Sequence, residues 1–212
     1  MSREYRIEPV DLPGPKPSRP QIGGITWTPW IPDIPLDELT DEQRDSLLPV
    51  QRKANYYRIL AHDAAVLDAR TKVDNAIFHS KGTGAPRELR ELAATVSSLT
   101  VGCPVCTTTH ANFTAVFSKR RDDIERLVDK GIDESFGFVW DAVINASHQL
   151  AQTPTAITVA DIDVLRGSGL TELEISDIVH SAAFFAWANR LLLSIGGSSL
   201  IGAPTASDTD AD

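Results

Sequence analysis

Proline sets the first boundary in this chain. Eight of its 13 prolines fall within residues 1–35. That stretch cannot be regular helix, because each proline removes an amide donor and its ring collides with the preceding turn. The same stretch carries Tyr5, Trp27 and Trp30, so it is not composed like a flexible linker, which is poor in aromatics. The expectation is an extended arm over residues 1–35, anchored by its aromatic rings on its own chain or on a neighbour's.

Beyond residue 35 the remaining prolines, with glycines and capping residues, punctuate helices. Thr40 and Gln43 have capping-box spacing and open a short helix toward Leu48. Pro49 heads a helix through Tyr56, Tyr57, Ile59 and Leu60. Residues 64–78 continue with Val66, Leu67, Val73 and Ile77 at helical spacing. Pro86 and Pro104 suit first-turn positions of helices running to about residues 99 and 117. A short helix over 124–130 stops at Gly131, and another runs over 134–150 with Phe138, Val139, Val143, Ile144 and Leu150. Thr158 caps a helix ending near Gly167, and the Thr171–Glu174 capping box opens a long apolar helix to about residue 195. No run alternates convincingly, so no strand is expected. The predicted fold class is all-α, a helical bundle over residues 36–202, with a small acidic disordered tail over 203–212.

Charge and hydropathy exclude several roles. A net charge of −9 argues against nucleic acid, which needs a basic face. The one short basic run, Lys119-Arg120-Arg121, abuts Asp122 and Asp123 and reads as a solvated helix junction. The N-terminal residues lack an apolar stretch of signal-peptide length. The apolar run 182–188 is broken at Asn189-Arg190, too short to span a bilayer. The expectation is a soluble cytoplasmic protein, where two cysteines are not a structural framework.

Those two cysteines lie in the sequence Gly102-Cys103-Pro104-Val105-Cys106, four residues ahead of His110. With Pro104 in the first turn, Cys103 falls at the N-cap and Cys106 one turn in, where free amides and the helix dipole favour a thiolate. Cys106, His110, Phe113 and Phe117 share one helix face, expected to be apolar and buried. If the preceding helix packs antiparallel, Glu91 lies about 12 Å down it and His110 about 10 Å down its neighbour, so the two come out level. The order is a relay in which His110 takes the thiol proton, directly or through water, and Glu91 orients it. The same four residues could also supply a zinc set, although no second Cys or His pair follows. Elsewhere, His62, His79 and His148 read as surface or helix-end residues and His180 as a hydrogen-bonded core histidine. Asn189 and Arg190 are expected to satisfy buried polar groups or an interface.

The pattern of Glu91, eleven residues, then Cys103-x-x-Cys106-x-x-x-His110 resembles the AhpD-like alkylhydroperoxidases of the carboxymuconolactone decarboxylase superfamily. The match runs over residues 86–117. Residues 169–175 and 183–190 look like the C-terminal helix of the peroxidase-related branch, and residues 56–62 like the helix that precedes its core. The resemblance implies an all-α fold assembling as a homo-oligomer (trimer, hexamer or dimer), with no cofactor or metal. It implies hydroperoxide reduction in which Cys106 attacks, Cys103 resolves the sulfenic acid as a disulfide, and His110 and Glu91 relay protons. A dithiol reductant or lipoyl-type protein would restore the pair. The sequence departs from the best-known members at Val105, where they carry a histidine. This removes a proton-transfer group and makes the site's mouth more apolar. The alternatives are a decarboxylase-type lyase, which needs no cysteine pair, and a non-enzymatic redox-sensing or metal-binding oligomer.

Overall fold

The computed structural model describes residues 24–79 and 84–200. Along the chain run α1 (Asp41–Asp45), α2 (Asn55–Leu60), α3 (Ala64–His79), α4 (Arg87–Val101) and α5 (Pro104–Ser118). They are followed by α6 (Arg121–Lys130), α7 (Phe138–Ala151), α8 (Val159–Gly167) and α9 (Glu172–Ile195). The fold is all-α. The capping boxes at Thr40, Thr158 and Thr171 all form, with the side chain three residues on bonding back to the cap. Residues 49–60 do not make one helix: a 3-10 turn, Gln51–Lys53, precedes an extended Ala54 that starts α2 afresh. Helix α7 starts at Phe138 rather than 134 because Gly137 sits at φ 100°, outside helical conformation.

Helix α4 is the axle of the bundle. Residues 89–98 are all buried, and α5, α7 and α9 pack around them. Such a helix could be apolar all round, yet this one carries hydroxyls that tie it to α9. Ser97 Oγ donates to Ala182 O at 2.9 Å, Ser181 Oγ to Arg90 O at 2.6 Å, and Ser98 Oγ to Asn189 Oδ1 at 3.2 Å. Small side chains let the two backbones approach closely enough for these bonds. The larger core cluster gathers Leu92, Val96, Ile124, Leu127, Val143, Leu165 and Ile178. A second, smaller cluster holds Phe78, Ala94, Phe184, Phe185, Ala188 and Leu192 together with both cysteines. Helix α9 is long and apolar enough by length and composition to cross a membrane, but half of its most apolar window is buried inside the molecule, which accounts for that composition. His180 lies on its outer, exposed face, not in the core as its neighbours in sequence imply.

The expectation of no strand is corrected. An antiparallel ribbon pairs β1 (Ile25–Pro29) with β2 (Gly196–Leu200), Trp27 opposite Ser198 and Pro29 opposite Gly196. Neither strand advertises itself: β1 is five residues inside the proline-rich arm, and β2 is Gly-Gly-Ser-Ser-Leu. The pairing is tertiary, created because α9 ends beside the arm. Trp30 N extends it, donating to Ile195 O at 2.8 Å. The ribbon thus anchors the described part of the arm, and β1 packs on α5; residues 1–23 and 203–212 lie outside the described residues.

The Trp27 indole lies across Gly196, where any Cβ would run into the ring. Gly196→Val is therefore expected to displace Trp27 and lower stability by about 1–3 kcal/mol, the usual cost of overpacking. Thermal melting and a shift in tryptophan emission check this; an unchanged melt would show that the ribbon does not constrain the fold.

Candidate active site

The site begins with a turn. Helix α4 ends at Gly102, whose φ of 80° and ψ of 36° are left-handed. Gly102 N donates to Leu99 O at 3.2 Å, and Cys103 N donates to Ser98 O at 3.0 Å. This double closure is the Schellman arrangement, for which glycine is the favoured residue. Cys103 is then the N-cap of α5, its carbonyl accepting from Thr107 N at 3.0 Å, and Pro104 takes the first turn. One residue therefore closes α4 and opens α5.

The two thiols are 3.3 Å apart and unbonded. Cys103 is fully buried and Cys106 is 8% exposed. The Cys106 thiol, donating its hydrogen to Cys103, holds the Cys103 pKa below that of an ordinary cysteine; burial opposes this. The amides of Cys106 and Val105 at the head of α5 help, acting on the sulfur electrostatically, since the side chain makes no capping hydrogen bond by geometry. Cys106 is pushed well up, first by giving its hydrogen to Cys103, then by burial and the charge on Cys103, with the Arg70 guanidinium working the other way. Of the two sulfurs, Cys103 is therefore the one that these contacts favour as the thiolate.

Glu91 and His110 meet as the helix arithmetic predicts. His110 Nδ1 lies 2.6 Å from Glu91 Oε2, and Glu91 is fully buried. An ionised carboxylate can only accept, so Nδ1 carries the hydrogen and Nε2 of a neutral ring is left as the acceptor. The other carboxylate oxygen is taken by Arg87, whose Nε and Nη2 stand 2.7 and 2.6 Å from Oε1. The His110 ring packs on Phe185, centroids 4.0 Å apart, and near Phe78 at 5.7 Å. Both phenylalanines belong to the cluster that encloses the cysteines. His110 and Cys106 are one turn apart on α5, within about 6 Å between Cβ atoms. No direct hydrogen bond joins them among the described residues.

A second cation acts on Cys106. Arg70 is buried, paired to Asp74 at 3.2 Å, and lies over the rings of Tyr57, Phe184 and Tyr56 at 5.2, 5.3 and 5.9 Å. Tyr56 packs edge-on against Trp27, centroids 5.9 Å apart, and both rings close over the cysteine cluster. Burial pushes the Tyr56 hydroxyl's pKa up, keeping it a neutral donor.

One expectation needs correction. Phe113 and Phe117 are 43% and 45% exposed, because no element among the described residues covers the outer side of α5. The zinc set is not assembled: among the described residues no three His, Cys, Asp or Glu side chains converge to hold a metal ion. Two functional side chains escaped the sequence reading. Arg87 had a signal, its i,i+4 spacing to Glu91. Arg70 had none, since α3 reads as an ordinary surface helix there.

No protein-family model matches the sequence, and no curated protein does. Solved structures do match. The chain is similar to an alkylhydroperoxidase AhpD core protein, described as an uncharacterized peroxidase-related protein, from Ralstonia eutropha JMP134. Their TM-score is 0.67 at 24% identity over 78% of this chain and 88% of that one. An uncharacterized peroxidase-related protein from Silicibacter sp. TM1040 gives 0.65 at 23% identity, over 79% of this chain and 91% of that one. The debrominase Bmp8 gives 0.62 at 15% identity, over 78% and 89%. One fold therefore carries more than one chemistry, and the reaction has to be argued from the site. What the comparisons establish is the architecture: this chain has the AhpD-like fold of the peroxidase-related proteins.

Proposed function

We propose that this protein is a cysteine-based hydroperoxide reductase cycling Cys103 and Cys106 between dithiol and disulfide. The observation that carries the reading is the unbonded thiol pair at the head of α5, one turn from an imidazole held by a buried carboxylate. A stapling role is poorly served by a loop this short.

Cys106 is the residue that substrate meets first, since of the two cysteines only Cys106 keeps any exposed surface. Its proton moves to Cys103 across the 3.3 Å contact, transferring the negative charge. The Cys106 thiolate attacks the terminal peroxide oxygen, the O–O bond breaks, and the departing alkoxide takes a proton delivered from solvent through His110. Cys106 is now a sulfenic acid. Cys103 attacks its sulfur, an S–S bond forms, and hydroxide leaves with the Cys103 proton as water. Two electrons from a dithiol or lipoyl-type protein donor return the pair to its starting state by exchange. We place this cycle in the cytosol, where such reductants hold thiols reduced. The expected homo-oligomer has a candidate face in the exposed Phe113, Val116 and Phe117 on α5, which a second copy would bury.

The test mixes the reduced protein with one equivalent of an alkyl hydroperoxide, maps the cysteines by mass spectrometry, and follows peroxide loss with excess dihydrolipoamide. A rapid 103–106 disulfide with multiple turnovers is expected. A disulfide without turnover by any dithiol would make the pair a sensor, and the absence of both would end the proposal.

A further inference from the structure

A second recess of about 740 Å³ opens beside the C-terminal end of α4, lined by Thr100, His148, Thr153, Arg190, Leu193 and Ser194 among others. Its titratable side chains are His148 and Arg190, and no carboxylate lines it. Arg58, Arg70, Arg87, Arg120, Arg126 and Arg166 each stand beside an acid. Arg190, in a chain of net charge −9, has none among the described residues. Its three hydrogen bonds go to neutral oxygens: Nη1 to Ala186 O at 2.6 Å, Nη2 to Ala151 O at 3.2 Å and to Thr153 Oγ1 at 2.6 Å. A guanidinium has five N–H donors. Two are therefore left over, on a head group already oriented by the other three, in a recess with no competing negative charge.

His148 is held in place beside it. Thr100 Oγ1 gives its hydrogen to Val96 O at 2.8 Å, so toward His148 it can only accept. The 2.9 Å contact to Nδ1 is then an Nδ1–H donation, which fixes the ring at the edge of the recess. Asp129, Lys130 and Asp133 line the adjoining recess on the other side of His148 and Thr100. The charge specific to the larger recess is thus that of Arg190.

The recess also adjoins the cysteine loop. Leu193 lines both it and a cleft of about 330 Å³ whose walls include Gly102 and Pro104, the residues flanking Cys103. Arg190 and Leu193 are separated by about 4.5 Å of rise along α9, and Leu193 and Gly196 by about as much again. A cation, an apolar step and the cysteine loop therefore follow one another along this end of α9, in a trough made of two recesses that share Leu193. We infer that this trough binds a medium-chain carboxylate, with its head on Arg190 and its chain over Leu193, and that the preferred substrates are hydroperoxides of such acids. The substrate part rests on the hydroperoxide reductase reading; the carboxylate site does not.

The two parts separate experimentally. Octanoate, which cannot react, is titrated into the reduced full-length protein by calorimetry. It is expected to bind, and Arg190→Gln is expected to weaken it at least about tenfold, as loss of a charge-assisted pair should. Ser194→Glu removes none of the Arg190 side chain's bonds but sets a carboxylate one turn away, and should weaken binding as strongly. Turnover is then compared for an octanoic acid hydroperoxide and its methyl ester. The wild-type protein should prefer the acid by about tenfold or more, and both variants should bring that ratio near one. Octanoate binding that is absent, or equal in all three proteins, overturns the site. Arg190-dependent binding with turnover of neither hydroperoxide supports the site and overturns the peroxidase reading. Turnover with an acid-to-ester ratio near one in the wild type overturns the substrate assignment.

Discussion

Cys106→Ser abolishes hydroperoxide turnover, with an expected loss on the order of a thousandfold or more, because an alcohol at neutral pH does not replace a thiolate nucleophile. The informative part is what the variant preserves. A serine hydroxyl still donates toward Cys103, so Cys103 keeps most of its depressed pKa, whereas Cys106→Ala removes the donor and lets it rise toward the ordinary thiol range. Thiolate absorbance near 240 nm, followed from acid to alkali, separates the two variants. The opposite substitution, Cys103→Ser, should slow attack, since no thiolate is left beside Cys106 to take its proton, and stop the cycle at a Cys106 sulfenic acid, trapped by dimedone as a stoichiometric adduct. Turnover retained in Cys106→Ser would reverse the two roles and move the attack to Cys103.

Glu91→Ala is expected to be the most destabilising single change at the site. It strands Arg87 and His110, both of which the carboxylate now satisfies from full burial. Breaking a buried pair costs about 3–5 kcal/mol. Here the lower end applies, because the Arg87 side chain is 21% exposed and can turn toward water. About 3 kcal/mol in a chain of 212 residues lowers the melting temperature by about 6–12 °C. Turnover should fall by a further factor of about a hundred, since nothing then holds the hydrogen on Nδ1 and the acceptor on Nε2. Glu91→Gln distinguishes the two effects. Its amide oxygen can still accept from His110, but its –NH₂ meets the Arg87 guanidinium donor to donor. Full stability with lost activity would contradict this account, because the carboxylate's structural and catalytic partners are the same groups.

The four residues of the site were legible because their spacing is local. Glu91 and His110 lie on two consecutive helices whose ends are written as proline, glycine and N-cap residues, and rise per residue alone sets them level. What could not be read is set by chain segments that meet from far apart. The ribbon joins residue 25 to residue 200, and β2 has no apolar alternation to announce it. Arg70 acquires its surroundings from Tyr56 and Tyr57 on the preceding helix and from Phe184 on α9, far along the chain. Val66 and Val73 kept helical spacing yet face outward, since the buried side of α3 is instead Leu67, Arg70, Thr71 and Phe78. His180 failed for the same reason: hydrophobic neighbours on both sides in sequence do not say which arc of a helix is covered. Spacing gives the period, and only packing gives the phase.

The joint at Gly102 and Cys103 has no slack. Cys103 is bonded backward to Ser98 and forward to Thr107, so α4 and α5 share a vertex rather than a linker. One residue added there would rotate α5 by about 100° and slide it by about 1.5 Å relative to α4. The Cys-x-x-Cys spacing, lying wholly on the α5 side, would survive untouched, while His110 would swing off Glu91. The length of the joint therefore works as a gauge, independent of the four side chains, for whether a thiol pair is coupled to a base or left on its own. Two chains with identical motif letters and joints of different length would be different kinds of thiol protein.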